Sequence, residues 1–161
     1  MVWNHGTRVL AMRLLESGHV ASVAANCAWH LWGEAGASSG QASGRLKLGS
    51  AALASRAPAA AGVSGGRPVR FDLIAGAPAL VLPFEGRATA AAVGPDGSWL
   101  AVGDDGGGVS ILGEAGRVSG KLQLDRYPVT AIEVSPDSVW LAASTLGGGL
   151  WLVRREDLES L

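Results

Sequence analysis

Cys27 and His30 are the residues of this chain whose types best suit nucleophilic chemistry, an imidazole drawing the proton from a thiol three positions away. The spacing places them across a tight turn, and neither an orienting acid nor an oxyanion donor accompanies them, so the pair reads as structural. Asp104-Asp105 ahead of Gly106-Gly107-Gly108 has the look of a cation or phosphate loop. A Ca²⁺ loop needs acids at alternate positions and a P-loop needs Lys-Ser/Thr, and both are missing; a hairpin turn is the simpler reading. Trp151 with Arg154 and Arg155 forms the candidate protein-contact patch, since a large aromatic beside guanidinium groups is the composition of interface anchors. Basic residues on a strand edge also guard against edge-to-edge pairing, and both explanations stay open.

Composition narrows the class. The 161 residues are 48% apolar, enough to bury a core, and 13 Lys and Arg against 14 Asp and Glu leave a net charge of −1. No overall basic field draws the chain to nucleic acid or to an anionic membrane. A single cysteine cannot close an intrachain disulfide, and one thiol with three scattered histidines lacks the paired spacing of a zinc site. No metal or cofactor is expected, and the setting expected is intracellular and cytoplasmic. Arg8, Arg13 and Glu16 interrupt what would be the apolar core of a signal peptide. The longest apolar runs, such as Ala77 to Phe84, are strand-sized and broken by proline.

Shifting the chain against itself exposes its organisation. Ala88 to Leu112 lies over Val129 to Val153 without a gap at a shift of 41, with eleven identities in twenty-five positions. Among them are Thr89 on Thr130, Pro95-Asp96 on Pro136-Asp137, Trp99-Leu100-Ala101 on Trp140-Leu141-Ala142, and the glycine triplet 106–108 on 147–149. Gly33-Glu34-Ala35-Gly36 recurs as Gly113-Glu114-Ala115-Gly116, two units further on. Ser43-Gly44-Arg45-Leu46-Lys47-Leu48 answers Ser119-Gly120-Lys121-Leu122-Gln123-Leu124, Val9 to Leu14 answers Val129 to Val134, and Val20-Ala21-Ser22 answers Leu141-Ala142-Ala143. A second unit follows by position and apolar character from Ser50 to Leu53, Ala59 to Val63 and Pro68 to Leu73. Four units result, about 1–33, 45–73, 79–113 and 121–154, with a charged tail over 155–161 that suits a frayed strand end or a short helix.

Each unit reads as a four-stranded antiparallel meander, the last one as Leu122 to Leu124, Thr130 to Val134, Trp140 to Ser144 and Leu150 to Val153. Pro95-Asp96-Gly97 and Pro136-Asp137-Ser138 are turn sequences, and the glycine triplets supply positive φ for the next hairpin. Successive apolar residues, as in Trp140-Leu141-Ala142-Ala143, mean that both faces of a sheet are covered, which radially stacked sheets achieve. Trp99 and Trp140 hold equivalent positions and read as packing residues rather than ligand platforms.

The run Val129-Thr130-Ala131-Ile132-Glu133-Val134-Ser135-Pro136-Asp137, with Val93-Gly94-Pro95-Asp96-Gly97-Ser98-Trp99-Leu100-Ala101, resembles the repeat of the WD-repeat β-propeller family over nearly the whole chain. The naming dipeptide is eroded. Its Trp position holds Trp32, Asp72, Leu112 and Val153, and its Asp position holds Gly33, Leu73, Gly113 and Arg154. No Trp-Asp pair survives, so the family's buried polar network does not carry over, and Gly18-His19, which is like the family's Gly-His pair, falls at the turn into the third strand of its unit and not ahead of the first. The fold expected is all-β, four tandem propeller blades forming part of a larger ring or of one completed by oligomerisation or by the remainder of a longer chain, because terminal repeats without polar caps need partners.

By the resemblance, the function expected is non-catalytic: a scaffold presenting rigid loop faces to a protein or peptide. The rival is a small-ligand or enzymatic propeller, disfavoured because the strands taken as innermost, around Leu46 to Leu48, Ala79 to Phe84 and Leu122 to Leu124, are poor in His and carboxylates. A third reading, a truncated copy without independent function, rests on the eroded second unit and the missing Trp-Asp pairs.

Overall fold

Strands consecutive in the sequence pair antiparallel to build every sheet of the computed structural model, which describes residues 5–33, 36–41, 46–74 and 77–159. The first sheet runs β1 (Val9–Leu14), β2 (Val20–Ala24), β3 (Ala28–Gly33) and β4 (Gly36–Gln41). The second runs β5 (Ser50–Leu53), β6 (Ala59–Ser64), β7 (Arg67–Asp72) and β8 (Leu80–Val81). The third runs β9 (Ala88–Val93), β10 (Trp99–Asp104), β11 (Gly108–Gly113) and β12 (Val118–Gln123). Among the described residues the fourth sheet has three strands, β13 (Val129–Val134), β14 (Trp140–Thr145) and β15 (Leu150–Arg154), and a short helix α1 (Arg155–Glu159) follows. The sheets stack through their first strands, β1 against β5, β5 against β9 and β9 against β13.

That stacking corrects the phase of the repeat. The strands taken as innermost are outermost or are not strands: β8 and β12 are the last of their sheets, and Leu46 to Leu48 lies outside any strand. The second and third sheets therefore combine three strands of one sequence unit with an outer strand that the sequence assigns to the next. The first sheet's outer strand is β4, Gly-Ala-Ser-Ser-Gly-Gln, which contains no good strand former and exists by pairing with β3. Leu48 and Leu124, the last leucines of the matched segments, leave the strands and enter the core. In the second unit the position of Leu112 is held by Phe71, not Asp72. Phe71 pairs with Ala60 as Leu112 pairs with Leu100, and it is buried while Asp72 is exposed.

Three clusters fill the three junctions. Trp29, Val23, Cys27, Leu53, Val69 and Phe71 pack between the first and second sheets. Ala59, Ala61 and Val63 face Ala88, Ala91, Leu100 and Val102 between the second and third. Trp99, Ala101, Val109 and Ile111 face Val129, Ile132, Val134 and Leu141 between the third and fourth. Small residues let the sheets close up. A Cβ on Gly103 would lie 2.5 Å from the Val129 Cβ, so glycine there admits the neighbouring strand. A hydrogen bond seals the same contact, the Thr89 hydroxyl donating to the Val129 carbonyl at 2.7 Å. The tail is anchored: Leu158 of α1 is buried in the last cluster.

The hairpin turns between the first two strands of the third and fourth sheets share one device. The Asp96 carboxylate accepts the Ser98 amide at 3.1 Å, and the Asp137 carboxylate accepts the Val139 amide at 3.0 Å. Gly97 turns at φ +77°, whereas Ser138, in its place, holds φ +65° with a side chain. The left-handed conformation costs a non-glycine residue ~1–2 kcal/mol, partly offset by the greater unfolded-state entropy of glycine. Ser138→Gly is expected to raise the unfolding free energy by about 0.5–1 kcal/mol in urea titration, while Ser138→Ala does not.

Those turns also set an acid limit. Asp96 is held below the ordinary carboxylate range by the Ser98 amide, and Asp137 by the Ser135 hydroxyl and then the Val139 amide. The unfolded chain takes up protons on these groups first as pH falls, so the stability they add is complete above about pH 5 and is lost as pH drops through the lowered folded values. Thermal unfolding between pH 7 and pH 3 is expected to show a falling midpoint below about pH 4, with a shallower fall in the Asp96→Asn, Asp137→Asn double variant.

Candidate interaction surfaces

The residues singled out for chemistry separate in space. Cys27 is buried between the first and second sheets, where desolvation pushes its thiol up, opposite to the activation a nucleophile needs. His30 lies on the other face of the first sheet. It pairs across the strands with Ser22, stacks on Trp32 at 5.0 Å between ring centroids and meets His5 edge-on at 4.3 Å. Burial and the neighbouring His30 hold His5 below the ordinary imidazole value, and its ring shares a 2.9 Å hydrogen bond with the Ser22 hydroxyl. Asp104 closes a hairpin: one carboxylate oxygen accepts the amides of Gly106 at 2.9 Å and Gly108 at 2.8 Å. Gly18-His19 sits in the turn from β1 into β2, the second strand of its sheet and not the third, which is the same shift of phase.

Trp151, Arg154 and Arg155 do not form one patch. Side chains alternate along β15, so Trp151 and Val153 point to the third-sheet side while Leu150, Leu152 and Arg154 point the other way. The Arg154 guanidinium lies 5.1 Å from the Trp140 ring centre and pairs with Glu156 at 3.1 Å. Arg155 lies 4.6 Å over Trp99, at the junction of the third and fourth sheets. Trp151 keeps part of its ring in solvent.

The surface that sequence reasoning missed is found by asking what the repeat buries elsewhere. The strand pairing of the third sheet carries over to the fourth at the same shift: Ala101 faces Ile111 as Ala142 faces Leu152, and Gly103 faces Val109 as Ser144 faces Leu150. Yet Val109 and Ile111 are 2% and 1% exposed, whereas Leu150 and Leu152 are 80% and 67% exposed. The first sheet shows the converse. Ile132 and Val134 are 5% and 7% exposed against the third sheet, whereas their counterparts Met12 and Leu14 stand 75% and 69% exposed. A hollow of about 400 Å³ lined by His5, Val9, Met12, Val20, Ser22 and Trp32 opens on that face. The stack thus ends in two unlike apolar faces, one built to meet a following sheet and one built to meet a preceding sheet. The signal was present in the sequence as the equivalence of these positions.

Polar groups also reach the centre of the arc. Arg13 and Glu133 line the space between the first strands together with Leu10, Met12, Ala51 and Leu53, and the Arg13 guanidinium donates to the Leu53 carbonyl at 3.0 Å. The strands that face the centre, β1, β5, β9 and β13, therefore carry Arg13 and Glu133 but no histidine, and they too are poor in His and carboxylates.

Four stacked antiparallel sheets with their first strands at the centre define an arc of a β-propeller. The chain is similar in fold to the β-propeller domain of Cps50 (Swd1) from Myceliophteria thermophila, with a TM-score of 0.76 at 14% identity over 98% of this chain. It spans 56% of that propeller, little more than half its length. No protein-family model matches the chain, and no curated protein matches it. Among the described residues no helix is long and apolar enough to cross a membrane.

The contrast between the two sheets is measurable in a dilute solution. Trp99→Ala is expected to cost about 3–5 kcal/mol of unfolding free energy, as for a buried tryptophan, whereas Trp140→Ala, on the uncovered face, costs about 1 kcal/mol or less. Chemical denaturation of both variants checks this.

Proposed function

We propose that this chain is a non-catalytic protein-interaction scaffold of WD-repeat type, an arc of propeller blades that is completed by further blades and receives a protein or peptide partner on its loop faces or rim. The observation that carries this reading is the pair of apolar terminal faces, whose internal counterparts are buried against neighbouring sheets. The repeat with its Pro-Asp turns supports the WD-repeat lineage, and the likeness to a longer propeller supports completion by other blades. Trp151, exposed at the rim, remains the contact residue of choice; Arg155 is occupied with Trp99, and Arg154 joins the terminal face. The lone buried thiol of Cys27 supports an intracellular setting, where thiols stay reduced.

Capture of partners from an extract of the source cells by the immobilised chain tests the reading. A protein retained in stoichiometric amount, and held about tenfold less well by the Trp151→Ala variant, is the expected result. The second reading, a small-ligand or enzymatic propeller, is favoured by Arg13 and Glu133 at the centre. Turnover of a lactone or ester panel that is lost in Glu133→Gln, without protein capture, would replace the scaffold reading with that one.

A further inference from the structure

The two ends of the arc are matched to each other. The fourth sheet offers Trp140, Ala142, Leu150 and Leu152, the equivalents of Trp99, Ala101, Val109 and Ile111, which the chain itself buries against a following sheet. The first sheet offers Met12, Leu14 and Val20, the equivalents of Ile132, Val134 and Leu141, which do the burying. Leucines project from one end, and the hollow bounded by Met12, Val20 and Trp32 opens at the other. One polar contact follows the same rule. Thr89 donates to the carbonyl of Val129 across the last internal junction; Thr130 stands in the place of Thr89, and Val9 in the place of Val129. Thr130 is exposed and turns its hydroxyl to Ser144 at 2.8 Å. Ser144 occupies the close-approach position held by Gly103, but Val63 fills that position in the second sheet within a buried junction, so a side chain there is compatible with stacking.

We propose that a second copy of this chain covers both terminal faces, the fourth sheet of each copy stacking on the first sheet of the other, so that two arcs close into one ring of eight blades. This rests on the reading that the arc is completed by further blades and names the blades that complete it. Four sheets correspond to 56% of the neighbouring propeller, so two copies bring enough sheets to close a ring, and eight blades lies within the range that propellers adopt. The contact joins two different surfaces, and a head-to-tail contact of that kind either closes or runs on as a filament. Two-step closure makes both terminal faces disappear at once. In the ring the Thr130 hydroxyl is placed to donate to the Val9 carbonyl of the second copy.

Light scattering on the purified chain is the test. The expected mass is twice 16.3 kDa, constant over a tenfold range of micromolar concentration. Leu152→Glu and Met12→Glu alter residues that are exposed in the single chain, so each is expected to leave its circular dichroism unchanged and to yield monomers. Mixing the two variants restores a dimer, because the mixed pair retains one unaltered junction. Thr130→Val raises the dissociation constant severalfold without moving the unfolding midpoint of the monomer. A monomeric wild-type chain overturns the proposal and assigns the covering blades to another polypeptide, while leaving the capture experiment above to decide the scaffold reading separately. A dimer that survives Met12→Glu overturns it in favour of two fourth sheets packed face to face, and a ladder of higher masses overturns closure.

Discussion

The two internal sheets of this chain have both faces covered. A sheet inside a stack has no solvent side, and the composition follows from that: alanine and glycine where neighbours close up near the centre, as at Ala101, Gly103 and Ala143, and larger side chains further out, as at Ile111, Leu112 and Phe71. The continuous apolar runs of β6, β9 and β10 are the signature of this constraint, because an alternating pattern would leave one face for water that never reaches it. Hydrogen bonds then fix how the sheets register. Thr89 bridges to the next sheet's first strand, and Thr145 donates to Asp125 at 2.8 Å, tying the end of β14 to the connection that enters the fourth sheet. Asp125 is held below the ordinary carboxylate range chiefly by that hydroxyl.

Much of this was legible from the residues because turn chemistry and periodicity are local. Val9–Leu14 and Ser50–Leu53 form strands over the very residues the repeat picks out, and β13 to β15 differ from their expected spans by one residue at an end. What failed was the assignment of strands to sheets. A sequence unit is bounded by similarity, whereas a sheet is bounded by pairing, and nothing in Leu122 says whether it joins β11 before it or β13 after it. The weakest strand, β4, carries no propensity of its own, and two leucines nearby, Leu46 and Leu48, supplied a more attractive but mistaken candidate. The one-residue error at Phe71 has a similar origin, since identity had run out in the second unit and only the pairing with Ala60 fixes which residue turns inward.

The candidate patch divides for a geometric reason. Trp151, Arg154 and Arg155 are adjacent in sequence, but a strand sends successive side chains to opposite faces and α1 then turns the chain away, so the three serve three different neighbourhoods. The terminal faces could be recognised only by comparing copies. No single residue such as Leu152 announces that it lacks a neighbour; its counterpart Ile111, buried in the middle of the stack, does.

The offset between sequence unit and sheet reaches beyond this fold. Because three strands of a 41-residue unit enter one sheet and the remaining strand enters the sheet before it, the unit is stitched to its neighbour by hydrogen bonds as well as by packing. A gene duplication that copies such a unit delivers a piece already interlaced with what stands beside it. Growth by whole units therefore adds a sheet without adding a free seam.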